Sequence, residues 1–266
     1  MPQASPDPVQ LTRRRLLGLA LSGASSALLT ACSGGIPIPG REQAVCVPRD
    51  RLERHTALAG LPLVYEVSRR RNAFWFDPGF AAQLGTWLTD VREAGLEADE
   101  LWTYGAWTDG SDQCRSWHNS GRAFDVARVR VPDGFVSCRY DQWRTTTGAE
   151  LRRALRDYWA LAASLHGHFA YVVTYLYDTE HHNHIHVDNG RSGTGRSEFD
   201  PGSITQVQAI QAIASYVWGR PTDITGRWDG PTRDATRAIL AEIGPDADLT
   251  DEGAWSRFCS ASISSP

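Results

Sequence analysis

The chain of 266 residues contains no lysine, so all 27 basic residues are arginine. That bias carries no functional information. Methionine occurs once, at the first position, so no methionine-rich adaptable surface exists. Blocks of one charge sign are missing, and the net charge is −4, which argues against nonspecific binding to nucleic acid. Long apolar runs are also scarce. The longest, Leu16 to Thr30, falls short of the ~20 apolar residues that a membrane helix needs. What remains, 41% hydrophobic and 22% charged, is the make-up of a folded chain with one or two cored domains.

The short apolar run reads as an export signal (residues 1–31), because Arg13, Arg14 and Arg15 precede it. The order Thr-Arg-Arg-Arg-Leu-Leu resembles a twin-arginine signal, and Leu29-Thr30-Ala31-Cys32 resembles a lipoprotein cleavage box. On that reading Cys32 is lipidated and anchors the protein to a membrane in the cell envelope, with residues 32–45 as a tether. Four cysteines are left, Cys46, Cys114, Cys138 and Cys259. An exported chain favours two disulfides, which allow three connectivities. The expected pairs are Cys114–Cys138, which bracket one segment, and Cys46–Cys259, which tie the two ends.

Periodicity predicts a helix from Phe80 to Ala94, ended by Gly95. A strand is expected over Leu101–Trp107, and two more over Phe124–Val131 and Phe135–Cys138 around Pro132-Asp133-Gly134. Thr147 and Glu150 form a capping-box pattern before a helix reaching about Leu165. Phe169–Tyr177 is β-rich, and the histidine stretch 181–188 reads as a strand entered through a loop at Asp178–Asn183. The expected class is α+β with an antiparallel sheet and flanking helices, over residues 46–190. Residues 191–202, rich in glycine and serine, read as a linker. Beyond them, residues 203–262 show three helical stripes, a small three-helix domain of about 60 residues.

Four of the eight histidines lie in HHNHIHVD, residues 181–188. Strand alternation puts His184 and His186 on one face. Upstream, SWHNSGRAFDV holds His118 and Asp125, with Gly121 permitting a sharp backbone path between them. A histidine from 184–186 would complete three nitrogen and oxygen ligands. Zinc accepts such a set and keeps a fourth position for water. His55, His166, His168 and His182 read as packed or surface residues.

The order S-x-H-x-x-G-x-A-x-D, followed by a distant H-x-H, resembles the zinc peptidase group of D-alanyl-D-alanine peptidases, lysostaphin-type endopeptidases and murein endopeptidases. Within that group the Cys114-Arg115 pair and the hairpin after the motif resemble the extensin-like C-terminal domain family. The resemblance implies Zn2+ as cofactor, with His118, Asp125 and His186 as ligands. Where the dipeptidase branch has a glutamate, this chain has Asn183. The resemblance therefore implies His184 as general base or transition-state stabiliser, with His181 as its helper. Arg115 and Arg122 are candidates to grip a substrate carboxylate, and Ser116 to support the site or touch substrate.

TQVQAIQAIASYVWG, GRWDGPTRDATRAILAEIG and DLTDEGAWSRF resemble the three-helix peptidoglycan-binding domain, through Val207, Ile210, Gln211, Gly226, Trp228, Thr232, Ala235 and Trp255. Together the resemblances imply a lipid-anchored or periplasmic zinc peptidase that cuts amide bonds in peptidoglycan peptides. The alternative is a non-catalytic wall-binding lipoprotein whose metal site is structural or vestigial.

Overall fold

The computed structural model describes residues 44–110, 113–190 and 192–264, which fall in one compact unit. The signal segment, Cys32 and most of the tether lie outside the described residues. Among the described residues no helix is long and apolar enough to cross a membrane.

The N-terminal part contributes five short strands: β1 (Glu53–His55), β2 (Ala57–Leu58), β3 (Leu61–Tyr65), β4 (Arg70–Arg71) and β5 (Phe74–Phe76). Helix α1 (Pro78–Glu93) follows, with Asp77 accepting from the Phe80 N–H as N-cap and proline in the first turn. Then come β6 (Glu100–Gly105), β7 (Ala123–Val131), β8 (Gly134–Ser137), α2 (Tyr140–Trp143), α3 (Gly148–His166), β9 (Tyr171–Val173) and β10 (Ile185–Asp188). The chain closes with α4 (Ile204–Tyr216), α5 (Gly230–Ile243) and α6 (Ala254–Ile263).

The central sheet runs β2-β3-β6-β7-β10-β9, with β4 beside β3 and β8 beside β7. Its pairs are antiparallel except β3 with β6, which α1 joins as a crossover. One parallel pair is therefore a departure from the purely antiparallel expectation. The sheet's inner face carries Leu63, Leu101, Phe124, Val126, Ile185 and Val187 against α1 and α3. At their meeting Trp87 donates its indole N–H to Ser164 Oγ, 2.9 Å away, deep in the core.

The mixed α+β class, the hairpin of β7 and β8, α1 and α3 all lie where the sequence placed them. Thr147 does stand at the N-cap of α3, but its hydroxyl makes no cap hydrogen bond, so the capping box does not form. The expected strand over 169–177 is reduced to Tyr171–Val173, because the chain turns away at Thr174 to Tyr177. Residues 192–203 carry no helix or strand, yet they form a packed strap. Trp255 donates to Ser197 Oγ, and Phe199 stacks on the Trp255 ring. Helices α4 and α6 lie against α3 and share one core with the sheet.

The cysteine expectation is overturned. The disulfide joins Cys46 to Cys114, and neither Cys114–Cys138 nor Cys46–Cys259 forms. The reason is where each side chain points. Cys46 lies beside Trp107 and Asn119, to which Val47 is tied by accepting from Trp107 Nε1 and donating to the Asn119 carbonyl. Cys138 follows β8 into the core, and Cys259 is buried in α6 beside Gly167. Burial pushes both thiols far above the ordinary range. Alkylation followed by peptide mapping should therefore modify Cys138 and Cys259 only after denaturation, with Cys46 and Cys114 recovered as a linked pair.

His166, the last residue of α3, is fully buried, and neither ring nitrogen has a hydrogen-bond partner among the described residues. Burial lowers its pKa from 6.5 to about 3. The unfolded chain thus binds a proton that the folded chain refuses. Stability from this group is complete above pH 6.5 and should fall by about 1.4 kcal/mol per pH unit below it. His166→Phe should flatten that acid-side slope in denaturant titrations at pH 4 to 7.

Candidate metal centre

The site is built on the pairing of β7 with β10, whose register sets Asp125 directly opposite His186. Across β7 on its other side, Asp125 pairs with Gly105 of β6. Alternation then does the sorting. Phe124 and Val126, like Ile185 and Val187, enter the core, while Asp125 and His186 stand together on the outer face.

His118 arrives from a 3-10 turn, Trp117–Ser120, just before β7. Ser116 caps that turn, its hydroxyl accepting from the His118 N–H at 3.2 Å. Gly121 ends it with φ +69°, and a Cβ there would come within 2.8 Å of the Asp77 nitrogen. Both the conformation and the close approach require glycine.

Three donor atoms converge. Asp125 Oδ1 lies 2.9 Å from His186 Nδ1 and 3.3 Å from His118 Nε2, and the two histidine nitrogens are 3.2 Å apart. Donors around a tetrahedral ion with bonds of ~2.0–2.2 Å stand ~3.3–3.6 Å apart, so the three need to open only slightly to take one. The cluster His118, Asp125 and His186 could hold a metal ion. Each imidazole is oriented by its second nitrogen. His118 Nδ1–H donates to the Ala106 carbonyl, and His186 Nε2–H points to Asp188 Oδ2 at 3.4 Å. Asp188 is almost fully buried and is fixed by the Gly190 N–H. Such outer partners set which nitrogen faces the ion.

Burial of His186 opposes its charge, but hydrogen bonds to Asp125 and Asp188 outweigh that and raise its pKa to about 9. Burial likewise opposes ionisation of Asp125, yet the adjoining His118 and His186 hold its carboxyl well below the usual range.

His184 precedes β10 in extended conformation and shares its outer face. Its Nδ1–H donates to Asn183 Oδ1 at 2.6 Å, which leaves Nε2 directed at the cluster, 3.4 Å from Asp125 Oδ1. Burial lowers its pKa to about 4, so the ring is neutral near pH 7. His181 sits in the 3-10 turn Thr179–Asn183, off the strand, with its ring 5.2 Å from that of His184. Asp178 caps this turn and also accepts from His181 Nδ1 at 2.7 Å. The structure thus brings His118, Asp125, His186, His184 and His181 to one place.

The other candidates stand apart or are engaged. Arg115 is exposed and donates to Gln113. Arg122 stacks on Trp117 at 4.6 Å and donates to the Asn189 side chain and carbonyl, clasping the ends of β7 and β10 together. Ser116 supports the turn rather than facing the cluster. His182 packs its edge on Tyr140.

The sequence reading missed Asp188, Asp178 and Tyr104. Asp188 had a usable signal, since it lies two residues beyond His186 on the same strand face. Tyr104 had none. It stands where the β6–β7 register slips between Thr103 and Gly105, and its ring lies 6.0 Å from His184.

No protein-family model, curated protein or solved structure matches the chain.

Because an ion must displace the His186 proton, apparent affinity for a divalent metal should rise about tenfold per pH unit up to about pH 9. Calorimetric titration at pH 6, 7 and 8 in buffers of different ionisation enthalpy should show release of about one proton per ion.

Proposed function

We propose that the protein is a zinc-dependent peptidase that hydrolyses amide bonds in peptidoglycan peptides, exported to the cell envelope and anchored through Cys32. The observation that supports this most is the arrangement of donors: two imidazole nitrogens and one carboxylate oxygen facing one point, with the neutral His184 Nε2 beside them. Two nitrogens, one oxygen and an open side suit a catalytic zinc better than a structural one, for which four protein ligands are the rule. Zinc held there would supply Lewis acidity and a water acidic enough to lose its proton near neutrality.

The chain's own residues account for the proton transfers that amide hydrolysis needs. His184 accepts a proton at Nε2, since its Nδ1–H is committed to Asn183. His184 then returns that proton to the leaving amine, and His181, whose Nδ1–H is committed to Asp178, lies with its ring 5.2 Å away as helper. Asp188 and the Ala106 carbonyl keep His186 and His118 from rotating as charge develops. The helices α4 to α6, through their likeness to a wall-binding bundle, would hold the enzyme on its polymer.

Purified peptidoglycan incubated with wild type should yield cleaved peptides by mass, and His184→Ala should lower the rate by ~10²–10⁴. A chelator should abolish the activity and zinc restore it. Equal digestion by wild type and variant, with the same products, would refute the assignment of His184.

A further inference from the structure

The outer face of the sheet does not end at the metal centre. From His184 it continues to Tyr104, ring to ring 6.0 Å, and the guanidinium of Arg139 lies 5.8 Å from the Tyr104 ring centre. Arg139 and Arg128 both donate to Glu66, a carboxylate whose side chain is only 5% exposed; Arg139 also grips Asp141 through Nε and Nη2, and Arg128 Nη2 also donates to Gln142. Arg128 next lies 5.6 Å from the Phe135 ring, and Phe135 meets Trp102 edge to face at 5.3 Å.

Several features of this strip lack a purpose within the fold. Phe135 is 42% exposed, an apolar ring held in water beside a tryptophan. Arg128 Nη1 donates to nothing among the described residues, although Nε and Nη2 are fixed by Glu66. The Tyr104 hydroxyl, half-buried next to His184, also has no hydrogen-bond partner among them. Glu66 and Asp141 take up the Arg139 guanidinium, so the donor this strip offers a carboxylate is Arg128 Nη1, preorganised by Glu66 and Gln142. Tyr104 and Trp102, two apart on β6, point the same way at ~6.6–6.8 Å spacing. From the metal centre to Phe135 the strip spans the length of about five extended residues.

We propose that this strip is the bed of an extended, carboxylate-bearing peptide, which runs from the metal centre over Tyr104, past Arg139 and Arg128, to the Trp102–Phe135 step. The catalytic meaning of this bed rests on the hydrolytic reading of the centre, but occupancy of the bed does not. A long substrate gains contacts that a dipeptide cannot reach, so discrimination is by length and by acidic side chains.

The test uses peptides of two to six residues with side-chain carboxylates, and their side-chain amides. Binding is measured by calorimetry on zinc-loaded His184→Ala, and kcat/KM on wild type. Affinity for the acidic series should rise at least tenfold between three and six residues, and much less for the amides. Phe135→Ala should remove most of that gain, Phe135→Tyr should restore it, and Thr89→Ala, on the exposed side of α1, should leave it unchanged. Binding that is independent of length, or a length dependence untouched by Phe135→Ala, overturns the proposal. Length-dependent binding without any cleavage by wild type would sustain the bed and refute the hydrolytic reading. Cleavage by wild type at one rate for all lengths would do the reverse.

Discussion

The pairing of Asp125 with His186 across β7 and β10 is the constraint on which the rest depends. Register in an antiparallel pair is a parity rule. A slip of one residue would send His186 into the core and bring Val187 out. The apolar residues Phe124, Val126, Ile185 and Val187, all fully buried, oppose that slip with their entire transfer free energy. The same core residues that hold the sheet together therefore aim the polar ones. A carboxylate and an imidazole are delivered to one face without a loop of their own.

Around that pair, each ring is fixed by a partner on its far side. The Ala106 carbonyl serves His118, Asp188 serves His186, Asn183 serves His184, and Asp178 serves His181. These partners come from the chain close to the ring they orient, except Ala106, which follows β6. The outer support continues through Arg122 and Asn189 to Gln83 of α1, which itself donates to the His168 carbonyl. The end of the sheet that carries the His118, Asp125 and His186 cluster is thus fastened to the helical layer beneath by buried polar contacts as well as by apolar packing.

Much of this was legible in the chain because it is local. Helical stripes gave α1, α3 and the three C-terminal helices, and the Pro132-Asp133-Gly134 turn gave the hairpin. The cluster was legible because H-x-x-G-x-A-x-D couples a turn to a strand, and H-x-H shares a strand face. The disulfide was not, since cysteine pairing depends on where distant segments lie, and spacing along the chain favoured the wrong partners. The parallel neighbourhood of β3 and β6 and the slip that turns out Tyr104 also arise from packing at long range. Periodicity outlined the C-terminal helices well but could not tell that they share the core of α3. That continuity is written in contacts with Trp255 and Phe258, not in spacing.

The bridge between Cys46 and Cys114 closes 68 residues of chain, and Cys114 lies only four positions before His118. Cys114 and the residue before it, Gln113, both adopt left-handed backbone angles, which are costly for residues with a side chain. The covalent link thereby fastens a reluctant loop beside one of the three residues that could hold an ion. A reduced chain would keep the β7–β10 register that aims Asp125 and His186, but would lose the covalent tie on the segment that leads into His118.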